Sequence, residues 1–213
     1  MIVFHLLYDL AEFYSVPVNY DQGPVYYTGK TAATLFFMIA GASSSFSKNN
    51  LRRGAKILAL GALVSVVTFV VFPGSNIFFG TLQLLGASIM LYPLFKNWRA
   101  PALAVLGTVI IITGRLFERV TLPNNWFAPF GLLGETFSSA DYYPLFPWFG
   151  VFICGAALGK MLYKNKTSLF SARFMKNPLV VLGRHSLTVY LIHQPLLLAL
   201  LFLFLRKPDK LAL

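Results

Sequence analysis

Charge is the first thing scarce in this chain of 213 residues: 12% of them are charged, seven acidic, against 57% hydrophobic and a mean hydropathy of +0.67. That balance excludes an ordinary soluble domain and fits an integral membrane protein. Cysteine is scarcer still. Cys154 stands alone in an apolar run, so no intramolecular disulfide can form and a small buried hydrophobe is the reading. No Walker loop and no GxGxxG occurs, and three His with one Cys make no recognisable zinc spacing, so no metal is expected. A secretory signal is absent too, since the first residues lack a basic region and His5 and Asp9 interrupt the apolar stretch. The formal charge of +11 would suggest nucleic acid in a soluble protein. Here Lys and Arg fall in short connections between apolar runs, where they report membrane orientation, and nucleic acid is not expected as a partner.

What is abundant is long apolar sequence. Runs near 1–14, 28–47, 54–72, 77–95, 101–117, 144–163 and 178–205 predict an all-α polytopic membrane protein, one domain over 1–213, with about seven transmembrane helices around a polar pore. The first run is shorter than the roughly 20 residues a span requires, so its cytoplasmic half is expected to be missing from this chain. Lys48, Arg52, Arg53 and Lys56 follow the second run, and Lys96 and Arg99 the fourth. Lys160, Lys164, Lys166, Arg173, Lys176 and Arg184 surround the connection from the sixth to the seventh. These share one face, which the positive-inside rule makes cytoplasmic; Arg206, Lys207 and Lys210 are the exception. Asp9, Glu12, Asp21, Glu118, Glu135, Asp141 and Asp209 then fall on or toward the other face. The connection 118–143 lies outside and has the length of a lid or binding loop. The sequon at 165–167 sits on the cytoplasmic side and is discounted. Gly155 and Gly159 read as a helix-packing pair.

Ionisable groups at membrane depth are costly and usually face a cavity or a partner. Counting 1.5 Å per residue places His193, Arg115, Gln83, Asp141, Tyr142, His5 and Asp9 at one level in the outer half of the bilayer. His5 and Asp9 are spaced i, i+4, within hydrogen-bonding reach on one helix face. A carboxylate there would fix the imidazole tautomer and raise its basicity, as a general base requires; the bland alternative is a polar pair that glues two helices. Pro195 predicts a kink beside His193 and Gln194. Arg52, Arg53 and Arg184 could meet phosphates or act as ordinary interfacial anchors.

Read together, "FHLLYDL" (4–10), "FFMIAGASSS" (36–45), "GTLQLLG" (80–86), "DYYPLFPWFGVFICGAALGK" (141–160) and "NPLVVLGRHSLTVYLIHQP" (177–195) resemble, in order, the bacterial branch of the heparan-alpha-glucosaminide N-acetyltransferase catalytic-domain family. The resemblance implies packed membrane helices with a central pore in a bacterial cytoplasmic membrane. It also implies acetyl-CoA entering from the cytoplasm and transfer of its acyl group to an extracytoplasmic sugar or glycan. Members carry an "LRG" element before the first-span His, which this chain lacks. Where the lysosomal member has a His in the loop after the first span, this chain has Tyr20 and Asp21, which moves the expected base to His5, oriented by Asp9. His193, Gln83 or a Tyr hydroxyl would donate to the oxyanion, Arg115, Asp141 and Tyr142 would hold the acceptor, and Arg52, Arg53 and Arg184 the CoA phosphates. The competing classes are a proton- or anion-coupled small-solute transporter and an assembly partner in an envelope complex; a homo-oligomer is left open.

Overall fold

The computed structural model describes residues 1–71, 76–164 and 178–205, and these are mostly helical. In chain order the helices are α1 (Ile2–Tyr14), α2 (Gly23–Phe46), α3 (Asn50–Val71), α4 (Thr81–Leu91, continued by a 3-10 turn Tyr92–Phe95), α5 (Ala100–Phe117), α6 (Leu145–Leu162), α7 (Pro178–Arg184) and α8 (Ser186–Leu205). Two short strands, β1 (Thr121–Leu122) and β2 (Leu133–Gly134), pair in parallel within the α5–α6 connection.

Among the described residues four helices, α3, α5, α6 and α8, are long and apolar enough to cross a membrane. The three other expected spans fall short for different reasons. α1 has 13 residues, about 20 Å of helix. α4 with its 3-10 turn is apolar but also short. α2 has the length, 24 residues, but Lys30 and a run of Gly, Ser and Thr dilute its apolarity.

The chain divides into two compact units, Met1–Ala33 with Phe170–Leu213, and Thr34–Leu169. In the first, α1 packs on α8. The apolar run 178–205 would be too long for one untilted span, and the structure solves this by breaking it at His185, which leaves α8 with 20 residues, about 30 Å. Pro195 lies inside α8. Ile192, Leu196, Leu200 and Leu203 are exposed along α8, as a lipid-facing surface requires.

The core of the second unit is built from Phe37, Leu84, Ile89, Tyr92, Leu103, Phe152 and Ile153, all fully buried. Small residues let its backbones approach. A Cβ on Gly41 would lie 1.9 Å from the Phe152 carbonyl oxygen, and one on Gly155 2.1 Å from that of Met38. Gly159 faces Ala42 in the same seam, so the Gly155/Gly159 pair serves helix packing, the usual use of such spacing in a membrane.

Candidate functional site

His193 is placed by α8 and is 9% exposed. Its Nδ1 lies 2.6 Å from the backbone carbonyl oxygen of Tyr190, one turn earlier. A carbonyl only accepts, so Nδ1 carries the proton, and in the neutral ring Nε2 holds a lone pair. That Nε2 is buried and has no hydrogen-bond partner among the described residues. The ring of His5, from α1, stands against it, with centroids 5.0 Å apart.

Beside this pair Gln194 donates from Nε2 to Asp9 Oδ1 at 2.6 Å. Asp9 is fully buried, and both its Oδ2 and the Gln194 Oε1 lack partners among the described residues. The expected His5–Asp9 hydrogen bond is therefore not formed; Gln194, one residue beyond His193, holds the carboxylate instead. Among the described residues three acceptor atoms of α1 and α8, His193 Nε2, Asp9 Oδ2 and Gln194 Oε1, are thus buried without a donor, a costly arrangement unless a donor-bearing group visits. At the end of α1, Tyr20 donates to Glu12, which raises the Tyr20 hydroxyl above its ordinary range.

A second polar network lies in the other unit. Asp141 accepts from the backbone N–H of Thr81 at 2.8 Å and from the Thr81 hydroxyl at 3.2 Å, capping α4 from 60 residues away. Gly80 is required there, since a Cβ would stand 2.4 Å from Asp141 Oδ2. Loss of water around Asp141 raises its carboxyl above the usual range, with the Thr81 bonds acting against that shift. Gln83 accepts from the Gly80 N–H at 3.1 Å and donates to the Gly61 carbonyl at 3.0 Å and to the Ser65 hydroxyl. Both of its amide protons are engaged, so the oxyanion-donor role expected of Gln83 has no free proton to draw on. Tyr142 donates to the carbonyl of buried Ala128 at 2.7 Å, pinning the α5–α6 connection rather than presenting a free hydroxyl, and burial raises it above the ordinary phenol range. Arg115 is not deep: α5 ends at Phe117, and Arg115 pairs with Glu118 at 3.0 Å with its side chain 70% exposed. A cation in the last turn complements the carbonyls there.

Basic groups gather at the far end of the same unit. Lys160 donates to the carbonyls of Lys96 and Trp98, and Lys96 Nζ reaches the Ser47 carbonyl at 3.4 Å. These bonds bring the α2–α3 and α4–α5 turns to the end of α6. Arg52, exposed, and Arg53, half-buried, open α3 beside them. The Arg184 side chain lies outside the described residues, as do Lys166, Arg173, Lys176, the sequon and the C-terminal basic tail. Among the described residues no group of three or more His, Cys, Asp or Glu is arranged to hold a metal.

The family model for the catalytic region of heparan-alpha-glucosaminide N-acetyltransferase matches residues 1–195. The chain belongs to this family. Membership and the four apolar helices together make it an integral membrane protein of an acetyltransferase family. No curated protein and no solved structure matches the chain. The match ends at Pro195, so it takes in His193 and Gln194 and spans residues of both compact units.

Sequence reading missed Gln194 as a partner of Asp9, Thr81 as the group capped by Asp141, and Ser65. The "HQP" triplet was the available signal for the first: a polar side chain next to a buried His ahead of a helix-interior Pro.

Proposed function

We propose that this chain is a membrane acetyltransferase that moves the acetyl group of acetyl-CoA onto an amino or hydroxyl group of a sugar or glycan acceptor, with His193 taking the acceptor's proton. The observation that carries the reading is the tautomer: Nδ1–H fixed on the Tyr190 carbonyl, with the lone pair of Nε2 buried and without a partner among the described residues. This exchanges the roles expected of the two imidazoles, because a neutral Nε2 accepts a proton and cannot donate to an oxyanion.

In the step proposed, the acceptor nitrogen or oxygen attacks the thioester carbonyl carbon, forming the new C–N or C–O bond as the C–S bond breaks. The acceptor's proton passes to His193 Nε2 and then to the leaving thiolate, giving CoA as the free thiol. His5 lies beside the ring that becomes cationic, and Asp9, held by Gln194, supplies the negative charge that offsets it. Such proton transfer is worth about 10²–10⁴ in rate. Arg52 and Arg53, with Arg184, are assigned to the CoA phosphates on the cytoplasmic face, and the acceptor to the opposite face of a bacterial cytoplasmic membrane. Seven helices around a polar pore, acting as one domain over 1–213, complete the proposal. The family match across both units supports that last element.

The test uses the purified full chain in nanodiscs with acetyl-CoA and glucosamine, following release of the CoA thiol. Wild type is expected to release CoA only with acceptor present, and His193→Ala to lose at least about 100-fold while remaining thermally stabilised by CoA. Wild-type release by His193→Ala would overturn the assignment. A proton- or anion-coupled transporter using the same cluster would show no stabilisation by CoA at all.

A further inference from the structure

The α5–α6 connection carries a feature that acetyl transfer does not explain. Residues 120–134, "VTLPNNWFAPFGLLG", hold no charged side chain, and the stretch is bounded by Arg119 and Glu135. Its large apolar groups point outward: Trp126 is 83% exposed, with Val120, Phe127 and Phe130 also exposed. The segment is held in this form. The Trp126 N–H is bound by Asn124 Oδ1 at 3.2 Å, the Gly134 N–H by Asn125 Oδ1 at 2.8 Å, and Ala128 is pinned from inside by Tyr142. Gly131 turns the chain at a φ of +102°, and the β1–β2 pair closes the loop. Rigid presentation of an indole to water would be unfavourable, and this chain offers it a different surrounding.

That surrounding follows from α5. Val105, Val109, Ile112 and Leu116 are all exposed, spaced 4, 3 and 4 residues apart, so they form one stripe down a membrane-spanning helix and face lipid. Val120 continues the stripe past the helix end into the uncharged segment. We infer that Trp126, Phe127 and Phe130 dock onto the bilayer, in the headgroup layer at the end of the α5–α6 pair, so that this connection lies on the membrane rather than over water. Aromatic side chains are favoured at that depth because an apolar ring enters the acyl boundary while the indole N–H stays among polar groups. A water-facing lid, a sugar-stacking platform and a contact with a second copy of the chain are the competing uses of the same rings.

Trp126 is one of three tryptophans, with Trp98 and Trp148, so the test compares wild type with Trp126→Phe, which keeps an aromatic ring in place. Both full-length chains are placed in nanodiscs whose lipids are brominated near the top of the acyl chain, and fluorescence quenching is read against aqueous iodide. Docking predicts that Trp126→Phe cuts bromine quenching about twofold, with little change in iodide quenching. Iodide quenching that disappears in Trp126→Phe, with bromine quenching unchanged, would place the ring in water and overturn the inference. Loss of neither, together with covalent dimers on oxidation of Trp126→Cys, would assign the rings to a second copy and overturn it as well.

Discussion

Each compact unit sets a glutamine against an aspartate, one of them buried (Asp9, Gln83) and the other half-buried (Gln194, Asp141), and the two sets are completed differently. Around Gln83 and Asp141 every polar atom meets a protein partner: Gly80, Gly61, Ser65 and Thr81 supply them. Around Gln194 and Asp9 the two side chains bind each other once, and the remaining acceptors, together with His193 Nε2, have none among the described residues. A satisfied buried network rigidifies a fold; an unsatisfied one costs stability and persists where something else comes to bind. On the function proposed, the first pair is architectural and the second serves the chemistry.

The largest expected separation comes from Asp9→Asn. Removing the charge that Gln194 holds should lower acetyl transfer about 100-fold with little change in melting temperature, read by CoA release and thermal unfolding on the same preparation. Gln194→Ala frees Asp9 from one buried hydrogen bond, a loss of about 1.4 kcal/mol, and should slow transfer about tenfold. Restoration by Gln194→Asn would mark an amide-positioning role, because simple loss of packing would not be rescued by a shorter amide. Across the comparison, Asp141→Ala leaves the Thr81 N–H unpaired and should cost about 1–3 kcal/mol of stability with unchanged activity per folded molecule.

The smallest effect is in pH. The Asp141 carboxyl is held above its usual value of about 4, so on acidification the folded chain takes up this proton before the unfolded chain does. The group therefore favours folding at pH below its raised value, and that contribution is lost as pH rises through it. The stability of wild type relative to Asp141→Ala should rise modestly as pH falls through that window, measured by thermal unfolding across pH.

Hydropathy made the helices legible, and i, i+4 spacing together with intramembrane position made His5, Asp9 and His193 stand out. What sequence could not carry was depth and partnership. Arg115 looks buried if α5 is counted from its start, but the helix stops two residues later and the side chain pairs with Glu118. His193 shifts as well: counted from the start of the apolar run at 178 it lies in the outer half of the bilayer, but α8 begins at Ser186 because the run breaks at His185, so it lies only about 10 Å into that helix. The Asp141–Thr81 cap and the Asp9–Gln194 bond join residues 60 and 185 positions apart. No periodicity signals such pairs, and the i, i+4 rule favoured the nearer His5.

The most direct test sets His193→Ala beside Gln83→Ala and reads both transfer rate and melting temperature for each in the full chain. Transfer should fall at least about 100-fold with melting unchanged in the first, and melting should drop, by the equivalent of about 1–3 kcal/mol, with transfer per folded molecule unchanged in the second. If His193→Ala transfers acetyl at the wild-type rate, or Gln83→Ala abolishes transfer without loss of stability, the division between an architectural and a chemical network is contradicted.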